Sequence, residues 1–114
     1  MAAIETDGTT SPRPHLVSTA GTHLVGTITA SYDEIVEMFG DPDTVPEVEP
    51  MWGIMIYRDL TRHDSNQIAA LYPRDFLNDP RASPCRDVIW GIGGHDQGVV
   101  DAIGNALARY RAAA

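Results

Sequence analysis

The chain has 114 residues, 43% of them apolar, and its 16 acids outnumber 8 basic residues, all arginine, for a formal charge of −8. A chain of this length makes one domain and buries about two-thirds of the surface its unfolded form exposes. A single cysteine excludes an internal disulfide and points to a reducing compartment, while no apolar run approaches the roughly 20 residues of a bilayer span. The opening Met1-Ala-Ala-Ile-Glu-Thr-Asp-Gly has no basic n-region and no long apolar core, so it does not read as a secretory signal and a cytoplasmic location is expected. Residues 1–13 show no apolar period and are rich in Thr, Gly, Ser and Pro; they are expected to be a mobile arm before one domain over 14–114. Residues 15–20 and 23–29, rich in β-branched side chains and parted by Gly21-Thr22, read as the strands of a hairpin.

Residues 31–39 spell a short helix with both ends written. Ser31 and Glu34 have the spacing of a capping box, and Tyr32, Ile35, Val36 and Phe39 form one apolar stripe. Gly40 supplies the stop and Pro42 prevents continuation. Asp33 and Glu34 complement the helix dipole and need no catalytic explanation. Residues 41–50 are an acidic, proline-punctuated loop. The run 51–57 is apolar on both phases, with Trp52, Ile54 and Ile56 on one face and Met51, Met55 and Tyr57 on the other. A strand greasy on both sides is covered either by a partner subunit or by the chain's own hairpin or loops.

A polar turn over 59–65 leads to a strand over 66–72. An irregular loop over 73–87 follows, with three prolines and three arginines. A last strand over 88–92 precedes a sharp turn at Gly93-Gly94, and Asp96 is placed to cap a helix over 97–111. That helix buries Val99, Val100, Ile103, Leu107 and Tyr110 and turns Asp101, Asn105 and Arg109 outward. Consecutive strands with short links predict a two-layer α+β domain, an antiparallel sheet of about five strands with two helices.

Charge is unevenly placed. Residues 1–57 hold nine acids against Arg13, and residues 58–114 hold seven acids and seven arginines. A net-negative chain is set against a long duplex, since nucleic-acid affinity comes mainly from neutralising many phosphates. A few arginines, each a planar fork that stays charged when desolvated, still suit a small anion; otherwise they are solvated surface groups. His63-Asp64 and His95-Asp96 lack the converging ligands of a metal site. Cys85 reads as a free loop thiol, and Gly91-Ile92-Gly93-Gly94 is not a phosphate-binding motif. Amides after Gly94, at the mouth of the last helix, offer a place for an anion. No catalytic set, metal or cofactor is expected.

The segments from Ala30-Ser31-Tyr32 to Gly40-Asp41-Pro42, Trp52-Gly53-Ile54, Ile68 to Tyr72, and Trp90-Gly91-Ile92-Gly93-Gly94 before a terminal helix follow one order. Over residues 26–108 that order resembles small bacteriophage proteins of the Thoeris anti-defence sponge family. The resemblance implies a non-catalytic protein that sequesters cyclic ADP-ribose isomers made by a bacterial immune system in the host cytoplasm. It also implies a homo-oligomer, a dimer or a hexamer built from dimers, with ligand pockets at subunit interfaces and in some members a second site for cyclic oligonucleotides. The chain departs from the family's Tyr-Asp-Trp-Lys at Tyr72-Pro73-Arg74-Asp75, and carries Gly91 where a polar residue is common. Combined with the charge map, the expected ligand-binding set is Arg109, Arg111 and Arg58 on phosphates and Trp52, Tyr57 or Trp90 stacked on a base, with Gly91 beside them. The tryptophans have core or interface packing as their alternative. The rival function is an acidic module that blocks a basic host protein surface through Asp41, Asp43, Glu47 and Glu49; an enzyme on small phosphoesters using His63 or His95 comes third.

Overall fold

The computed structural model describes residues 2–12, 19–57, 66–75 and 79–114. They form an α+β fold of one mixed sheet and two helices: β1 (Ala2–Ile4), β2 (Thr10–Pro12), β3 (His23–Ser31), α1 (Tyr32–Phe39), β4 (Trp52–Ile56), β5 (Gln67–Pro73), β6 (Asp87–Gly94) and α2 (Gly98–Ala113), with a single 3-10 turn at Pro80–Ala82. The sheet runs β2-β1-β4-β5-β6-β3. Pairing is antiparallel except between β1 and β4, which run parallel with Ala2 opposite Ile54 and Ile4 opposite Ile56.

The expected α+β fold, an antiparallel sheet of about five strands with two helices, holds; the sheet has six strands, and its one parallel pairing comes from the N-terminus. Residues 2–12, expected to belong to a mobile arm, contain β1 and β2. Ala2, Ala3 and Ile4 are buried, and the Ile4 carbonyl accepts from the Tyr57 amide at 2.9 Å. The chain reverses at Gly8, whose φ of +87° suits glycine. The Asp7 carboxylate fixes the turn by accepting from the Thr9 amide and hydroxyl at 3.0 and 2.7 Å. A three-residue apolar run is too short to display a period, yet it covers the free side of β4. Of the expected hairpin, 23–29 lies within β3 and 19–22 form a turn closed by the Thr22 amide on the Thr19 carbonyl. Residues 15–18 and the turn at 59–65, with His15, Arg58 and His63, lie outside the described residues.

Helix α1 forms as its ends dictate. The Ser31 hydroxyl accepts from the Glu34 amide, the Glu34 carboxylate accepts from the Ser31 amide, and Gly40 ends the helix at φ +83°. Ile35, Met38 and Phe39 are buried, while Tyr32 and Val36 are half-buried against the same core. Helix α2 buries Val99, Ile103, Ala106 and Leu107. Gly93 and Gly94 do not make the expected sharp turn; both are in β6. A Cβ at Gly94 would lie 2.5 Å from Val99 Cγ2, and one at Gly26 2.7 Å from Val100 Cγ2. Glycine there lets α2 lie flush on the sheet. The core between sheet and helices is filled by Trp52, Ile54 and Ile56 of β4, Leu71 of β5, and Trp90 and Ile92 of β6. Met51, Met55 and Tyr57, from the second apolar phase of that run, are half-buried.

Candidate functional site

The structure separates the residues that the sequence had gathered. Trp52 and Trp90 are both 0% exposed and meet edge to face, with centroids 5.5 Å apart. Each indole N–H is spent on a backbone carbonyl, Trp52 on Gly40 at 3.0 Å and Trp90 on Ala30 at 2.9 Å. Neither offers a ring face to a ligand, so their expected stacking role is corrected to core packing that ties α1 to the sheet.

Arg111 is also committed. Its Nε and Nη2 grip the two Glu34 oxygens at 2.8 and 3.0 Å, and Nη2 donates to the Thr29 carbonyl at 3.1 Å. The guanidinium fastens the end of α2 to the start of α1 and, with the Ser31 amide, holds the Glu34 carboxyl down at about 2. Arg111, expected in the ligand grip, is in this fold a clamp between the helices, with its Nε and Nη2 spent on Glu34 and Thr29. Arg109, two residues back, points about 200° round the helix. Its Nη1 donates to the Asp7 carbonyl at 2.9 Å.

Tyr57 and Arg109 do come together, in a cleft of about 540 Å³ between the β1–β2 turn, the end of β4 and the polar stripe of α2. Glu5, Asp7 and Asp101 line it with Asn105, so its charge opposes an anion. The mouth of α2 is taken as well, because the Asp96 carboxylate accepts from the Gly98 amide at 2.6 Å.

A better arrangement for an anion lies on the segment expected to be an irregular loop. The end of β5, the Pro80–Ala82 turn and the start of β6 enclose a concavity of about 920 Å³ lined by Thr27, Arg74, Asp75, Ser83, Arg86, Asp87 and Ile89, among others. Its walls are fixed locally. The Arg74 amide donates to the Ile89 carbonyl at 3.1 Å and the Arg86 amide to the Ser83 carbonyl at 3.0 Å. Asp79 caps the turn through the Arg81 amide and takes the Arg81 guanidinium at 2.8 Å, which holds its carboxyl below the usual carboxylate range.

Among the described residues, ion pairs join Arg81 to Asp79 and Arg111 to Glu34, and neither Arg74 nor Arg86 has a carboxylate within bonding distance. Gly91 belongs here: a Cβ on it would lie 2.7 Å from the Tyr72 ring and 3.0 Å from Arg74 Cδ, so glycine lets the Arg74 stem lie against the sheet. Ile89, 55% exposed, adds an apolar surface. The concavity is of the size that takes a small-molecule ligand. It joins two cationic forks, two hydroxyls and three carboxylates, Asp75, Asp79 and Asp87, of which Asp79 is held by Arg81.

Elsewhere, the Cys85 thiol donates to Asp33 Oδ2 at 3.2 Å, and that carboxylate raises the thiol pKa, which lowers the share of reactive thiolate at neutral pH. Among the described residues no group of three or more His, Cys, Asp or Glu side chains is placed to hold a metal ion, and no helix is long and apolar enough to cross a membrane. Compared with protein-family models, curated proteins and solved structures, the chain matches none of them.

Proposed function

We propose that this chain is a non-catalytic binding protein that sequesters a small cyclic nucleotide of the kind used as a signal in bacterial immunity, held in the Arg74–Arg86 concavity. The observation that carries the reading is the pair of guanidinium groups without described carboxylate partners, facing a hollow of nucleotide size. Each can grip a phosphate with two parallel bonds. Asp75 and Asp87 would accept from ribose hydroxyls or base amines, and Ile89 would pack on a sugar or base face. Sequestration requires affinity and abundance only. The resemblance to phage anti-defence sponges supplies the ligand class and the expectation of a homo-oligomer in host cytoplasm; the pocket supplies the residues.

A panel of cyclic mono-, di- and trinucleotides and cyclic ADP-ribose isomers, screened by thermal shift, tests the reading. At least one member is expected to raise the melting temperature and to be recovered unaltered after denaturation. Absence of any shift across the panel, or recovery of a hydrolysed product, would contradict it.

A further inference from the structure

The cleft beside α2, of about 540 Å³, carries Glu5, Asp7 and Asp101 against the one guanidinium of Arg109. Its apolar lining includes the buried Ile4, Ile56 and Ala106, while Asp7, Asp101 and Arg109 are exposed at its rim. Asp101 and Arg109 share one face of α2 and stand about 12 Å apart along its axis. Arg109 is drawn to the β1–β2 turn, where its Nη1 donates to the Asp7 carbonyl. In that turn the Asp7 carboxyl is held below its usual pKa by the Thr9 hydroxyl and amide, so it stays ionised, and Glu5 accepts from the Ser11 hydroxyl at 3.3 Å.

The N-terminal end of α2 offers a second, independent feature. Gln67 lies opposite Ile56 in the pairing of β4 with β5, so both side chains are on one face of the sheet. Its Nε2 donates to the Asp96 carboxylate just before α2. A carboxylate only accepts, so the amide nitrogen must face Asp96 and the orientation of Oε1 is fixed. That oxygen is buried and accepts no hydrogen bond among the described residues, which is unfavourable until a donor reaches it. Among those residues no three His, Cys, Asp or Glu side chains converge on a metal ion. The cation that matches instead spreads its charge along an apolar body. We infer that the cleft binds an aliphatic polyamine, its methylene chain along Ile4, Ile56 and Ala106, one ammonium at the Asp101 and Gln67 end and another at Glu5 and Asp7. An ammonium brings three donors and no acceptor, and the net charge of −8 draws such a ligand in. The cleft shares no lining residue with the Arg74–Arg86 concavity, so the inference goes beyond the nucleotide reading and does not rest on it.

Titration calorimetry of the full-length protein with spermidine, at fixed ionic strength and without nucleotide, tests the site. Wild type is expected to bind saturably, one spermidine per chain. Glu5→Gln/Asp101→Asn removes two of the cleft's charges and is expected to weaken binding about tenfold or more. Asp101→Asn alone, at an exposed position of α2, is expected to show part of that loss. Glu47→Gln/Glu49→Gln removes the same charge from the acidic loop, outside the cleft, and is expected to change affinity by less than about twofold. Magnesium at matched ionic strength is expected not to displace spermidine. Circular dichroism melts confirm that each variant is folded. Absence of saturable binding, equal weakening by the two double variants, or displacement by magnesium would each overturn the inference. None of these results bears on the nucleotide reading.

Discussion

Glu34 is a single side chain with two jobs. One oxygen closes the capping box on the Ser31 amide at 3.1 Å and both oxygens receive Arg111. The carboxyl is lowered from 4.5 to about 2, chiefly by the Arg111 hydrogen bonds. At 1.36 kcal/mol per pH unit such a drop corresponds to about 3 kcal/mol. The side chains are 21% and 45% exposed, however, and pairs this open to water contribute about 1 kcal/mol or less.

Glu34→Gln keeps an oxygen for the cap and loses the charge, so it is expected to cost about 1 kcal/mol at neutral pH. Glu34→Ala also loses the cap, for about 2 kcal/mol in all. Because the folded pKa is depressed, the stabilisation is present above the unfolded value of 4.5 and is lost as pH falls from there through about 2. Urea unfolding followed by the fluorescence of the buried Trp52 and Trp90, at neutral pH and across that acid window, measures it. The gap between wild type and Glu34→Gln is expected to shrink as pH falls. Equal stability at neutral pH, or a gap that persists unchanged through the window, would refute the reasoning.

Four other perturbations follow, three of the fold and one of the Cys85 thiol. Ile4→Ala removes a buried side chain of β1 and is expected to cost about 2–4 kcal/mol in denaturant unfolding; a mobile arm would cost nothing. Gly94→Ala puts a methyl 2.5 Å from Val99 Cγ2 and is expected to cost about 1–3 kcal/mol. Gly104→Ala meets nothing within 4 Å in the middle of α2, so it is expected to stabilise by about 0.5–1 kcal/mol in the same assay. Asp33→Asn removes the carboxylate that raises the Cys85 pKa and is expected to speed labelling of that exposed thiol by a disulfide reagent at neutral pH; an unchanged rate would mean the pair does not form in solution.

How much of this was legible in the sequence follows from the range of the interactions. Helix α1 was readable because Ser31, Glu34 and Gly40 act within a few residues of one another, and α2 because its apolar stripe repeats over several turns. The strand β1 was not, since three apolar residues carry no period and are buried by a parallel partner some fifty residues away. Gly93 and Gly94 looked like a turn because nothing in their neighbours announces that α2 returns across them.

The same limit governs the site. Two tryptophans signal either a ligand platform or a core, and only the tertiary fold spends both N–H groups on carbonyls. Arg111 looked free until Glu34, far away in the chain, was brought to it. Arg74 and Arg86 were visible as arginines of a proline-rich loop, and the Tyr72-Pro73-Arg74-Asp75 departure fell on one of them. Their convergence on one hollow depends on Pro80 and Asp79 turning the loop back to β6.

The central claim is most directly tested by equilibrium dialysis of whichever cyclic nucleotide the thermal screen returns, against wild type and Arg74→Ala/Arg86→Ala at matched ionic strength. Saturable wild-type binding is expected to weaken at least tenfold in the double variant, with the unliganded melting temperature little changed because neither guanidinium is ion-paired among the described residues. Binding undiminished in the double variant, but lost on changing Arg109 or Tyr57, would contradict it and place the ligand in the cleft beside α2.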